Sequence, residues 1–231
     1  MTRTIDKTQA RRFYDAFGRK QDAQAFYEDV AVNKLLEAVD LTRTRHLVEI
    51  GCGTGRLAER LLTSVLPRDA RYTGIDISDT MIRLARDRVS PFADRARLVR
   101  QDASEADIPA DADALISCYV LDILSEADIR ALLDRIADAT GPPCRLGLVS
   151  LTPGDSPMTR AISSAWSLIH RLRPLTVGGC RPLRLAPLID PARWSIQHHS
   201  LTRAFGLCSE IIVADRIGPE RVPNPSEAAQ G

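Results

Sequence analysis

The stretch EIGCGTG runs from Glu49 to Gly55 and is the strongest structural signal in the sequence. It follows the apolar run His46–Ile50, which predicts a short buried strand. It precedes Arg56–Leu66, where the apolar spacing predicts a helix that ends before Pro67. Alternating glycines let the backbone turn sharply and approach a ligand closely, because they carry no side chains. The stretch therefore predicts a strand, a loop and a helix, with a loop that cradles a cofactor.

The same alternation of strand and helix continues along the chain. Helices are predicted at Thr80–Val89, with Asp79 as N-cap, and at Glu126–Ala139. The predicted strands are Arg71–Ile75, Arg97–Arg100, Ala114–Cys118 and Arg145–Leu151. This alternation predicts an α/β fold with a parallel, doubly wound sheet. Trp194–Ser200 and Cys208–Ala214 are expected to form an antiparallel pair at the sheet edge.

The segments outside this alternation are expected to join the same single domain, which we place at residues 1–217. Apolar spacing over Arg11–Leu41 predicts two helices, and we expect residues 10–41 to form an N-terminal helical lid. Residues 152–191 are expected to be an insertion close to the functional site, with a helix at Met158–Leu172. Residues 218–231 are rich in proline and are predicted to be a mobile tail.

The composition favours a small-molecule partner in the cytoplasm. The chain has 231 residues, 44% of them hydrophobic, and its 31 basic and 30 acidic residues give a net charge of +1. No overall field therefore attracts nucleic acid or an anionic membrane. The five cysteines include no C-x-x-C pair, which argues against disulfides and against a metal site. No segment has the roughly 18 consecutive apolar residues of a membrane span.

The spacing of the glycines favours a sulfonium cofactor over a dinucleotide. A dinucleotide fingerprint requires a third glycine where this chain has Arg56. In addition, Glu49 places a carboxylate at the start of the turn, which suits a cationic amino-acid ligand better than a pyrophosphate. An NAD-dependent oxidoreductase remains the weaker alternative.

Two further carboxylates follow the next strands. Asp76 ends the second strand, where it is placed to accept both hydroxyl protons of a ribose, although it is also a possible helix cap. Asp102 follows the third strand and is placed to reach an exocyclic amine, while Ala103 offers a backbone donor to the same ring. Taken alone, Asp102 is more simply interpreted as a turn residue.

These residues together resemble the successive motifs of class I methyltransferases. The motifs are HLVEIGCGTGRLA at His46–Ala58, GIDIS at Gly74–Ser78 followed by Met81, and QDA at Gln101–Ala103. Within that class the chain is similar to the ubiquinone/menaquinone-biosynthesis-type (UbiE-like) small-molecule methyltransferases, over roughly residues 10 to 215.

The resemblance implies a Rossmann-like, seven-stranded sheet with the last strand antiparallel, and S-adenosyl-L-methionine as the cofactor. It implies that Glu49 and the glycines lie near the methionine moiety and that Asp76 holds the ribose. Cys118 and Tyr119 would lie beneath the sulfonium.

The resemblance also implies the surroundings of adenine. Ile77 and Met81 would flank the ring, and Asp102 and Ala103 would meet its edge. The cofactor-binding residues that we expect are Tyr14, Glu49, Gly51, Cys52, Gly53, Gly55, Asp76, Ile77, Met81, Asp102, Ala103 and Cys118.

The acceptor side carries weaker signals. Tyr119 and Asp122 are candidates to orient or deprotonate an acceptor, although Asp122 is also a possible cap of the next helix. Tyr27, Trp166 and His170 are candidate walls of an acceptor pocket, against the common alternative that aromatic residues at helical spacing pack in the core.

Two functions from different classes remain open from the sequence. The first is methyl transfer from S-adenosyl-L-methionine to a small, apolar or aromatic acceptor by in-line displacement. The alternative is a catalytically silent subunit that binds the cofactor for a regulatory or scaffold role. The chain lacks the Asn/Asp-Pro-Pro-aromatic run of base-amine methyltransferases, which argues against a nucleic-acid acceptor. A homodimer is possible in either case.

Overall fold

The computed structural model describes residues 6–218, and its centre is one mixed sheet. The strands in chain order are β1 (His46–Ile50), β2 (Arg71–Asp76), β3 (Ala96–Arg100), β4 (Ala114–Cys118), β5 (Arg145–Leu151), β6 (Trp194–Ala204) and β7 (Leu207–Arg216). Their order across the sheet is β3-β2-β1-β4-β5-β7-β6. β1 to β5 pair in parallel, and β7 is antiparallel to both β5 and β6. This Rossmann-like, seven-stranded arrangement confirms the expected fold class.

Helices cover both faces of the sheet. They are α1 (Lys7–Phe17), α2 (Ala25–Val39), α3 (Arg56–Ser64), α4 (Asp79–Arg88), α5 (Glu126–Ala139) and α6 (Pro157–Leu172). Successive residues of a strand point to opposite faces. Val48 accordingly packs in a core cluster with α5, whereas Leu47 packs in a second cluster with α2 and α3. All five residues of β1 are buried, as expected for a central parallel strand.

Most element boundaries agree with the sequence-based prediction. The capping of α4 is a correction, because Ser78 rather than Asp79 is the N-cap and its Oγ accepts a hydrogen bond from the Met81 backbone N–H at 3.1 Å. β6 is also longer than predicted and runs on to Ala204. The reason is that Phe205 and Gly206 adopt positive φ angles of 51° and 83° and form the tight turn into β7.

The N-terminal helices and the insertion contact each other. A 3₁₀ segment, Gly18–Gln24, joins α1 to α2, and the hydroxyl of Tyr14 on α1 donates a hydrogen bond to the Gly178 carbonyl beyond α6 at 3.2 Å. That contact links the two segments directly. The predicted tail at 218–231 lies, apart from Gly218, outside the described residues.

Candidate functional site

Two adjoining cavities lie at the carboxyl ends of the central strands, next to the point where the strand order reverses between β1 and β4. Open α/β sheets bind their ligands at such a point. The two cavities share Gln21, Gly51, Cys118 and Tyr119. The first cavity has a volume of about 120 Å³. The predicted site residues that line it are Tyr14, Gly51, Asp76, Ile77, Asp102, Ala103, Cys118 and Tyr119. The second, of about 70 Å³, is lined by Glu49, Gly51, Cys52, Gly53, Cys118 and Tyr119.

Packing against neighbouring residues requires glycine at two positions of the turn, Gly51 and Gly55. A Cβ on Gly51 would lie 2.0 Å from Cγ2 of Val120, and the φ of Gly51 is +77°. Gly55 lines neither cavity, and a Cβ there would lie 2.8 Å from Cα of Ala85 on α4. The structure therefore gives Gly55 a role in the packing of α3 against α4, and the predicted cofactor contact of Gly55 has no counterpart in the cavities.

Asp76 is held in the wall of the first cavity by backbone donors. Its Oδ2 accepts a hydrogen bond from the Gly53 N–H and its Oδ1 accepts one from the Ser78 N–H, both at 2.9 Å. Burial raises the pKa of Asp76 to about 6, even though these hydrogen bonds act in the opposite direction. Each carboxylate oxygen retains acceptor capacity, so the group is suited to receive two ribose hydroxyls.

Glu49 occupies the second cavity as a buried carboxyl. The Tyr72 hydroxyl donates to its Oε2 at 2.5 Å, and burial raises the pKa of Glu49 to about 7. The same cavity contains Glu28, and burial raises its pKa to about 7 as well. Arg56 supplies positive charge and donates to both carboxylate oxygens of Asp29, at 2.5 and 3.0 Å. The cavity thus offers charges of both signs, which fits an amino-acid zwitterion.

The first cavity ends at the turn after β3. Asp102 caps the short 3₁₀ turn Ala103–Glu105 by accepting from the Ser104 N–H at 2.7 Å, and its Oδ2 lies 3.4 Å from Nζ of Lys7. Asp102 is therefore both the turn residue and part of the cavity wall. Met81 is fully buried in α4 and lines neither cavity, so its predicted contact with adenine has no counterpart there.

The two predicted catalytic residues have different positions. Tyr119, at a φ of +58°, lines both cavities, but its hydroxyl is hydrogen-bonded to Oγ of Ser209 at 2.8 Å. Asp122 is fully buried and lines neither cavity. Its Oδ2 accepts from the Leu151 N–H at 3.3 Å, and burial raises its pKa to about 7. Ser125, not Asp122, caps α5.

The predicted pocket residues Tyr27, Trp166 and His170 line neither cavity. Tyr27 is 8% exposed and packs edge-on against Tyr119 with ring centroids 5.8 Å apart. Nε1 of Trp166 donates to the Cys180 carbonyl at 2.9 Å, and Nε2 of His170 is 3.0 Å from the Gly179 carbonyl. Both hydrogen bonds lie within the insertion and hold α6 against the segment that follows it.

Sequence reasoning missed several lining residues. Gln21 lines both cavities, and Lys7, Val120 and Asp128 line the first. Gln21 belongs to the polar run GRKQDAQ between two helices, where no periodicity marks one residue above its neighbours. Within residues 6–218, no group of three or more His, Cys, Asp or Glu side chains is placed to hold a metal ion. Over the same range, no helix is long and apolar enough to cross a membrane.

Comparison with known proteins identifies the central part of this architecture. Residues 47–143 match the family model described as a methyltransferase domain. This part of the chain is therefore similar to a methyltransferase domain. The chain is 30% identical over 112 residues, 48% of its length, to an O-methyltransferase of Pyrenophora dematioidea. It is 35% identical over 115 residues, 49% of its length, to a malonyl-[acyl-carrier protein] O-methyltransferase of Acetivibrio thermocellus. It spans 41% and 39% of these relatives' own lengths.

A solved structure supports the same assignment of the fold. The magnesium protoporphyrin IX methyltransferase of Synechocystis PCC 6803, which contains bound S-adenosylhomocysteine, superposes with a TM-score of 0.68 at 19% identity. The superposition covers 92% of this chain and 100% of that one.

The residues of the two cavities fit S-adenosylmethionine as a cofactor. Asp76 suits the ribose, Asp102 and Ala103 offer an acceptor and a donor for the edge of adenine, and the mixed charges beside Glu49 suit the amino-acid end.

Proposed function

We propose that the chain transfers a methyl group from S-adenosyl-L-methionine to a small, apolar or aromatic acceptor by in-line displacement. The observation that carries this proposal is the joined pair of cavities at the switch point, with Asp76 in one and Glu49 in the other. A silent cofactor-binding subunit would be compatible with the same cavities, but no feature of the site favours it.

In this proposal the protein's main task is positioning. The cofactor supplies a methyl group on a sulfonium, which is already activated for displacement. Asp76 and Glu49 fix the two ends of the donor, so that the sulfur lies near Cys118 and Tyr119, two of the four residues common to both cavities. A bound acceptor then needs only to be aligned and shielded from water.

The acceptor would enter beside Tyr14, with the N-terminal helices acting as a lid and the insertion as the far wall. The Tyr14 contact with Gly178 supports that arrangement, because it joins these two segments at a residue that lines the first cavity. Tyr27 lines neither cavity, but its packing against Tyr119 would support the aromatic wall from behind. We further propose that the enzyme is of the UbiE-like type and acts in the cytoplasm as a single domain, with a homodimer possible.

Tyr119 is proposed to orient the acceptor, since it is the predicted catalytic residue that reaches the cavities. Asp122 is proposed as the second candidate for a general base. Its pKa of about 7 would let it take up a proton near neutral pH, but it is fully buried and lines neither cavity.

Calorimetry tests donor binding. The wild-type protein is expected to bind S-adenosylhomocysteine at 1:1, and Asp76→Asn should weaken binding at least tenfold, because it removes charge-assisted hydrogen bonds worth about 1.5–3 kcal/mol each. Exposed Asp94→Asn is the matched control and should bind like the wild type.

Turnover tests catalysis. Transfer of labelled methyl groups to members of a panel of phenols, quinols, amines and thiols would support the enzyme. Binding without transfer to any acceptor in the panel would favour the silent subunit, and absence of binding by the wild type would refute both functions.

A further inference from the structure

The side-chain Oε1 of Gln21 is an unsatisfied acceptor in a residue that lines both cavities. This oxygen is buried and accepts no hydrogen bond from any residue between 6 and 218. A buried acceptor without a donor is unfavourable and rare in folded proteins. Such an atom beside a cavity indicates that its partner is a ligand.

Gln21 stands where the two cavities meet, since it lines both of them. Its carboxamide lies directly against Gly53 of the glycine turn. A Cβ on Gly53 would come within 3.2 Å of both Oε1 and Nε2 of Gln21. The absence of a side chain at Gly53 therefore leaves room for the carboxamide at the rim of the second cavity, which also contains Glu49 and Arg56.

The segment that carries Gln21 is firmly held. The neighbouring Asp22 accepts hydrogen bonds from the Thr54 hydroxyl at 2.6 Å and from Nη2 of Arg88 at 2.8 Å. Thr54 in the glycine turn and Arg88 at the end of α4 therefore anchor the 3₁₀ segment next to Gly53. With this anchor, Gln21 is preorganised for a ligand and needs little ordering when the ligand binds.

We propose that Gln21 binds the amino-acid end of S-adenosylmethionine directly, with Oε1 accepting from the ammonium and Nε2 donating to the carboxylate. A carboxamide is both an acceptor and a donor, which matches the two neighbouring groups of an α-amino acid. The inference rests on the proposed function, because it requires that this cofactor occupies the cavities. It makes the segment Gly18–Gln24 part of the donor site.

The test compares two ligands that differ in the amino-acid end. S-adenosylhomocysteine has this end, whereas 5′-methylthioadenosine keeps the adenosine and the thioether but lacks it. Calorimetry is performed on the wild type, on Gln21→Met, which has a similar shape but no polar atoms, and on Gln24→Met. Gln24 lies in the same segment but lines neither cavity, so it is the matched control.

Gln21→Met is expected to bind S-adenosylhomocysteine at least about tenfold more weakly and 5′-methylthioadenosine within twofold of the wild type. Retained binding of the shorter ligand also establishes that the variant is folded. Gln24→Met should match the wild type with both ligands.

Equal affinity of Gln21→Met and the wild type for S-adenosylhomocysteine would overturn the inference, and so would an equal loss with both ligands. If the wild type bound neither ligand, the proposed function itself would fail, an outcome that differs from all of these.

Discussion

On the proposed donor side of the site, formed by Glu49–Gly55 and Asp76–Ser78, the hydrogen bonds Gly53 to Asp76 and Tyr72 to Glu49 each join residues 23 positions apart. On the proposed acceptor side, formed by Tyr14, Tyr27 and the insertion, the bond between Tyr14 and Gly178 joins residues 164 positions apart. The donor side is built within two adjacent strand–helix units. The acceptor side depends on distant segments that meet only when the whole chain has folded.

The two sides should differ most in how much a glycine-to-alanine substitution lowers the free energy of unfolding. Gly51→Ala on the donor side would place Cβ 2.0 Å from Val120 at a φ of +77°. Overpacking and the left-handed backbone together should lower the free energy of unfolding by about 3 kcal/mol or more, and binding of S-adenosylhomocysteine should be lost. Denaturant unfolding and calorimetry measure the two effects.

Gly178→Ala on the acceptor side is the matched variant. Its φ is also positive, at +64°, but the nearest atom to its Cβ would be 3.7 Å away. Only the backbone penalty of about 1 kcal/mol is expected, with donor binding retained. Equal destabilisation by the two substitutions would contradict the distinction.

A smaller effect concerns two buried carboxyls, one in the donor cavity and one outside both cavities, whose pKa values burial raises to about 7. Glu49 lines the donor cavity, whereas Asp122 does not. A cationic ammonium binds best to ionised Glu49, so affinity for S-adenosylhomocysteine should rise about tenfold from pH 6 to pH 8. Glu49→Gln should make this profile shallower, with Glu28 in the same cavity supplying the remaining pH dependence, and Asp122→Asn should leave it unchanged. An altered slope in Asp122→Asn alone would reverse the assignment.

The same pair has a second consequence, for stability. Because both folded pKa values lie above those of free carboxyls, the native state binds more protons than the unfolded state between about pH 4.5 and 7. The free energy of unfolding of the ligand-free protein should therefore fall as the pH rises through this window. Either Glu49→Gln or Asp122→Asn should reduce the fall, as measured by denaturant unfolding at pH 5 and pH 7.

The smallest expected effect tests the independence of the acceptor side. Trp166→Phe keeps an aromatic ring but removes the hydrogen bond from Nε1 to the Cys180 carbonyl. The free energy of unfolding should fall by about 1 kcal/mol, with affinity for S-adenosylhomocysteine unchanged within twofold. A tenfold loss of donor affinity in this variant would mean that the insertion and the donor site are coupled.

The contrast between the two sides also explains what the sequence could reveal. The periodicity of strands and helices is a local signal, so β1, β4, β5 and α5 were predicted with the boundaries that the structure has. The seven-stranded sheet with its antiparallel strand was correctly expected from the resemblance. The position of β7 between β5 and β6, rather than at the edge, depends on pairing across the sheet, and no local pattern encodes it.

Single residues within the motifs were harder to assign. Gly55 and Met81 belong to the motifs that carry the resemblance, but neither lines a cavity. Gly55 packs against Ala85 of α4, and Met81 is buried in α4. Gln21 was missed for the opposite reason. It lies in a polar run with no periodicity, and only the close approach to Gly53 in the folded chain distinguishes it from its neighbours.

The most direct test of this account is a crystal structure of the protein with S-adenosylhomocysteine. We predict one ligand that extends through both cavities. Its ribose hydroxyls should lie on Asp76, its adenine edge at Asp102 and Ala103, and its amino-acid end in the second cavity. A ligand bound outside these cavities, or one with its amino-acid end at Asp102, would contradict it.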